Sequence, residues 1–239
     1  MSRSKSRPTP TLLLAAVALA VGLSTRDAFA QGAEPAAPAA ARPAPAAAPA
    51  PPLTPIALAG DAARGAVLAE TCKGCHGVPE SHNAYPSYYV PKLGGQNADY
   101  IEVALQGYRR GTRSHPTMQA QASSLTDQDI ADVAAYFSSL TGEAESGKSD
   151  ASAQMIDEGK SKATACLQCH GEAGVATAGQ WPNLAGQHES YLQQALKQYQ
   201  TGQRSDLLMA PIVSGLDAAA IENLAAFYSA QPYLHQTPQ

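Results

Sequence analysis

The run Cys72-Lys73-Gly74-Cys75-His76, matched 94 residues later by Cys166-Leu167-Gln168-Cys169-His170, decides how the rest of this 239-residue chain is read. Together the two runs use all four cysteines. Cys-x-x-Cys-His is the attachment signature of covalently bound haem c, in which the two thiols add across the two vinyl groups to form thioethers. The histidine lies about one helical turn beyond the first cysteine, within reach of the iron as proximal ligand. A zinc knuckle would need the four cysteines to converge from two distant runs and would leave both adjacent histidines unexplained. A thioredoxin-like dithiol would need a βαβ pattern, and none is visible. The sequence therefore implies two covalently bound haem c groups, attached at Cys72, Cys75, Cys166 and Cys169, with His76 and His170 on the irons.

The N-terminus fits that chemistry. Arg3, Lys5 and Arg7 precede an apolar stretch from Thr11 to Leu23, and Ala28-Phe29-Ala30 is an A-x-A cleavage site. Residues 1–30 thus read as a signal peptide, with an apolar run shorter than the roughly 20 residues a membrane span needs. The expected product is an exported, soluble periplasmic protein; the alternative is an uncleaved N-terminus that tethers it to the membrane. Residues 31–57 are nearly all Ala and Pro, a leader too poor in apolar side chains to bury a core. Removing residues 1–30 takes away four basic residues and one acid, moving the formal charge from −4 to −7. That balance argues against nucleic acid and for steering toward basic docking surfaces.

The remainder is an internal duplication. Pro91-Lys92-Leu93-Gly94-Gly95-Gln96 aligns with Pro182-Asn183-Leu184-Ala185-Gly186-Gln187 at an offset of 91, which also carries Tyr100 onto Tyr191, Tyr108 onto Tyr199, Arg113 onto Arg204 and Ile130 onto Ile221. Upstream the offset is 94, aligning Gly65 with Gly159, so the first copy holds three extra residues, placed within His82-Asn83-Ala84-Tyr85-Pro86. The expected architecture is all-α, with a first domain over 58–141, a linker over 142–154 rich in polar residues and read as solvated, and a second domain over 155–232. Three helices are expected per copy and no strand. The first runs into each cysteine motif. The second carries Tyr100, Ala104, Leu105 and Tyr108 on one face, and the third carries Ile130, Val133, Ala134 and Phe137. Asp127 and Asp217 are the expected caps of the third helices. The tyrosine stripes read as core packing.

Methionine is scarce, and this makes it informative. Met118 lies 42 residues after His76 and Met209 lies 39 after His170, the difference being the insertion. Met118 and Met209 are the expected second axial ligands, closing each iron and raising its potential relative to bis-histidine ligation. Met155 has no counterpart in the first copy. His115, three residues before Met118, aligns with Asp206, which cannot ligate in the same way; His82, His115, His188 and His235 read as surface histidines. The carbonyls of Pro91 and Pro182 are the expected acceptors for the proximal imidazoles. Arg113 and Arg204 read either as partners of the haem propionates or as solvated surface residues.

With both cysteine motifs, both Pro-x-Leu-x-Gly-Gln runs and both methionines in place, residues from about Gly60 to Gln231 resemble the cytochrome c4 family, the periplasmic dihaem class I cytochromes c. The resemblance implies two tandem class I cytochrome c domains about a pseudo-two-fold axis. It also implies electron transfer, without enzymatic turnover, from a quinol-oxidising cytochrome bc complex or another periplasmic donor toward a terminal haem–copper oxidase. The competing role is a haem-bearing subunit of a periplasmic dehydrogenase such as a sulfide-oxidising flavocytochrome. A peroxidase would need an open iron, against which both methionines speak.

Overall fold

The computed structural model describes residues 52–238. The segment read as a signal peptide, 1–30, and residues 31–51 of the leader lie outside the described residues, as does Gln239. The Asp61 carboxylate accepts the Ala63 and Arg64 N–H groups and so starts helix α1 (Ala62–Leu68). A one-residue break at Ala69 leads into α2 (Glu70–His76), which carries the first cysteine motif to its C-terminus. A short antiparallel hairpin, β1 (His82–Asn83) with β2 (Tyr88–Tyr89), follows. Then come α3 (Ala98–Arg110), α4 (Pro116–Ser123) and α5 (Asp127–Ser139). The second copy repeats the order without the hairpin. It has α6 (Ala153–Lys162), a 3₁₀ turn at Ala163–Ala165, α7 (Leu167–His170), α8 (Glu189–Gln200), α9 (Met209–Val213) and α10 (Ala218–Ala230).

The all-α reading stands, with additions. The extra length of the first copy falls in the hairpin, the only sheet among the described residues, where no strand was expected. Each copy also has a short fourth helix, α4 or α9, beginning at or just before its methionine. The α5 cap is Thr126, in a reciprocal capping box with Asp129; Asp127 is the first helical residue instead. Asp217 caps α10 as expected, accepting from Ala220 N–H at 2.7 Å. No helix among the described residues is long and apolar enough to cross a membrane.

In each copy the first and third helices cross at a glycine. A Cβ on Gly65 would stand 2.0 Å from the Asp132 carbonyl oxygen of α5, and one on Gly159 would stand 1.9 Å from the Asn223 carbonyl oxygen of α10. Asp132, fully buried, fixes the first crossing by accepting Asp61 N–H and Gln128 Nε2, each at 2.8 Å, and pairing with Arg64. The second helix closes the core: Ile101, Leu105 and Tyr108 meet Ile130, Val133, Ala134 and Phe137 in one copy, and Leu192 meets Leu224, Ala225, Phe227 and Tyr228 in the other.

The copies are laced together by chain outside these cores. The 142–154 segment, expected to be a solvated linker, is exposed along most of its length yet anchored: Gly147 N–H donates to Ser229 O at 2.7 Å and Lys148 N–H to His188 Nδ1 at 3.0 Å. Past α10 the chain turns back across the first copy. Leu234 N–H donates to Ala185 O at 3.0 Å and His235 N–H to Gly94 O at 3.2 Å. His188 and His235, expected at the surface, are buried as a result, whereas His82 is exposed.

Gly65→Ala and Gly159→Ala should each destabilise the holoprotein by about 2 to 3 kcal/mol, since the added methyl has no room against a backbone carbonyl. Gly215→Ala, where a Cβ meets nothing within 4 Å, should be nearly neutral. Thermal unfolding of the three variants checks this.

Candidate functional site

Each candidate proximal histidine is the last residue of a helix, with one cysteine directly before it and the other one turn back, Cys72 within α2 and Cys166 as the N-cap of α7. His76 and His170 are buried, 8% and 5% exposed. A buried imidazole must place its N–H on an acceptor. His76 Nδ1 lies 2.8 Å from Pro91 O, and His170 Nδ1 lies 3.0 Å from Pro182 O, as the sequence led us to expect. A carbonyl can only accept, so Nδ1 carries the proton in both rings and Nε2 keeps its lone pair free for a metal. Burial pushes both imidazoles below the ordinary histidine range, against the opposing pull of the proline carbonyls, and so favours the neutral ring that ligation requires. None of the four cysteines is in a disulfide; Cys72 packs beside the first core and Cys166 beside the second, and Cys75 is exposed.

Met118 and Met209 enter their copies alike, half-buried and with the backbone held by a polar cap. Met118 N–H donates to His115 Nδ1 at 3.2 Å, and Met209 N–H donates to Asp206 Oδ1 at 2.8 Å. The pair His115 and Asp206, which looked unrelated, thus does one job with two chemistries. His115 is no free surface group: with Nδ1 accepting, its Nε2–H donates to Asn83 Oδ1 of the hairpin at 2.9 Å. The inserted residues of the first copy therefore support the cap beside Met118. Met155 caps nothing and lies on α6, away from this arrangement.

Arg113 and Arg204 are not solvated. They are 8% and 6% exposed and face each other across the boundary between the copies, their backbones joined through Ser114 N–H to Gln203 O at 2.7 Å and Ser205 N–H to Thr112 O at 2.8 Å. The Arg113 guanidinium lies over Tyr108 at 4.7 Å and donates to Tyr191 Oη at 2.8 Å; Arg204 lies over Tyr199 at 5.2 Å. The tyrosine stripes are therefore more than core filling. Among the described residues neither arginine has a carboxylate partner, and both buried Nε–H groups lack an acceptor. Burial pushes the Tyr191 hydroxyl up, but the two guanidiniums outweigh it and pull the group below the usual tyrosine range. Two buried cations without a counter-charge are costly. They suit a ligand that brings carboxylates to the middle of the molecule, and haem, with two propionates per ring, is such a ligand.

The comparisons agree with this geometry. The cytochrome c family model matches twice, over residues 62–141 and 156–228. Cytochrome c4 of Pseudomonas aeruginosa is 36% identical over 155 residues, 62% of this chain and 75% of that protein. The thiosulfate dehydrogenase electron acceptor of Stutzerimonas stutzeri is 30% identical over 172 residues, 67% of this chain and 79% of its own length. The crystal structure of reduced recombinant cytochrome c4 from Pseudomonas stutzeri superposes with a TM-score of 0.62 at 28% identity, covering 72% of this chain and all of that one. Doubled cytochrome c domains, two buried carbonyl-tied imidazoles and likeness along nearly the whole length of a solved cytochrome c4 place this chain in the cytochrome c4 family, as an electron-transfer protein with two covalently bound haem c groups.

Proposed function

We propose that the protein is an exported periplasmic carrier that takes single electrons from a quinol-oxidising cytochrome bc complex, or another periplasmic donor, and passes them to a terminal oxidase. The observation that supports this reading is a pair of candidate ligands repeated in both copies. Each copy offers one buried imidazole with a free Nε2 and, in register, one methionine whose backbone is capped. In this reading the thiols of Cys72, Cys75, Cys166 and Cys169 would hold the haems as thioethers, and His76 with Met118 and His170 with Met209 would ligate the two irons. Arg113 and Arg204 hold propionate carboxylates at the boundary between domains spanning 58–141 and 155–232. When bound, haem c supplies one-electron ferric/ferrous chemistry. Methionine thioethers are neutral, weak donors, and they favour the ferrous state and exclude small ligands. Residues 1–30 would direct export and be removed.

A second reading concerns the donor. The similarity to a thiosulfate dehydrogenase electron acceptor supports a sulfur-compound dehydrogenase in place of the cytochrome bc complex, with the same haem chemistry. Reduction rates of the oxidised protein by a quinol-fed cytochrome bc complex and by a thiosulfate-fed thiosulfate dehydrogenase separate the two.

Met118→Ala and Met209→Ala should each abolish about half of the near-infrared sulfur-to-ferric-haem band and lower one of two potentiometric waves; unchanged spectra in both variants would remove the ligand assignment. Replacing a cap costs about 1 kcal/mol. His115→Ala should therefore loosen only the Met118 share of the band on warming, and Asp206→Ala only the Met209 share, as followed by near-infrared absorption against temperature.

A further inference from the structure

The two Pro-x-Leu-x-Gly-Gln runs are matched in sequence, but their last residues do not serve their own copies. The peptide group joining Pro91 to Lys92 has both ends occupied. Its C=O accepts from His76 Nδ1 at 2.8 Å, and its N–H donates to Oε1 of Gln187, from the second copy, at 3.0 Å. The peptide group joining Pro182 to Asn183 mirrors it, with C=O accepting from His170 Nδ1 at 3.0 Å and N–H donating to Oε1 of Gln96, from the first copy, at 2.8 Å. Each glutamine closes the grip with its amide nitrogen, Gln187 Nε2 donating to Lys92 O at 3.0 Å and Gln96 Nε2 to Asn183 O at 2.9 Å. Each glutamine oxygen also accepts the next backbone N–H along its own chain, from His188 at 3.0 Å and from Asn97 at 2.9 Å. Backbone N–H groups only donate and backbone C=O groups only accept, so these partners fix which way both amides face. Gln96, Gln187, Lys92 and Asn183 are all buried, between 2% and 4% exposed.

We infer that Gln96 and Gln187 are positioning residues that act crosswise, each setting the proximal histidine of the other domain's haem. The inference rests on the reading that His76 and His170 ligate iron. The path is one unbroken line in each direction: imidazole Nδ1–H, proline carbonyl, the N–H of that same peptide, glutamine oxygen. Hydrogen bonds in such a line polarise one another. An acceptor on the N–H side leaves more negative charge on the carbonyl oxygen, which draws harder on the imidazole proton and makes the ring a better donor to ferric iron. Loss of Gln187 therefore destabilises the ferric state of the first haem, and loss of Gln96 that of the second. A purely adhesive glutamine would weaken the interface without any such crossed effect on the irons.

The test is potentiometry of the full-length holoprotein. Met118→His lowers the wave of the first haem and Met209→His that of the second, which assigns both waves in the wild-type background. Gln187→Leu should then raise the first-haem wave, shifting its ferric/ferrous equilibrium by about three- to tenfold, the reach of one buried hydrogen bond, and leave the second in place. Gln96→Leu should do the converse. Should either leucine variant fail to assemble with both haems, Gln187→Asn and Gln96→Asn, one methylene too short to span the boundary, carry the same expectation. Shifts confined to a glutamine's own domain, equal shifts of both waves in both variants, or no shift at all would each overturn the crosswise relay. Failure of the ligand reading shows itself separately, as Met→His variants whose waves and near-infrared band match wild type.

Discussion

The bond from a buried histidine Nδ1–H to a proline carbonyl is the interaction on which the rest of this molecule depends. It selects the tautomer and aims Nε2, while burial, against the pull of that same carbonyl, keeps the imidazole neutral. It also dictates where the loop after each cysteine motif must return. Pro91 and Pro182 have to stand within hydrogen-bonding distance of a helix C-terminus, and the helices on either side are fitted around that requirement. The glycine crossings at Gly65 and Gly159 bring the first and third helices close enough for a small domain to form a core beside the ring.

Much of this was legible in the sequence because it is local or periodic. The cysteine motifs, the apolar faces of the second and third helices of each copy, the proline acceptors and the place of the insertion all follow from spacing. The helices α4 and α9 were not, since Pro116–Ser123 has no apolar stripe and α9 spans only Met209–Val213 with a proline inside it. His115 and Asp206 escaped notice because alignment compares residue types, whereas a cap needs only an acceptor at the right position. The partners of Gln96 and Gln187 were hidden for a different reason. A repeated motif shows that both copies have the same need, but a chain read in order cannot say whether each copy meets its own need or the other's. His188 and His235 were misjudged by the same blindness, and the solvated alternative for the two arginines fails with them, because their burial comes from chain that lies far off in sequence.

The two halves are alike in chemistry and unlike in support. Asp206 reaches the Met209 backbone by itself, whereas His115 leans on Asn83 and so brings the hairpin into the neighbourhood of Met118. Lys92, at the position matched by Asn183, is a buried ammonium that donates to Glu145 Oε2 and Ser146 O. Burial lowers its pKa, and the nearby Glu145 only partly restores it. The two candidate proximal histidines thus sit in two different electrostatic surroundings, which under the proposed ligation is a physical basis for two unequal potentials in one chain.

The path of the last residues bears on how the two copies come apart. His235 lies against Gly94, Gly95 and Gly142, and Thr237 is only 1% exposed, so this stretch after α10 is packed into the first copy. The segment from Leu234 to Thr237 bonds to Ala185 of one copy and to Gly94 of the other, so a protease or a force acting on it would loosen both copies at once.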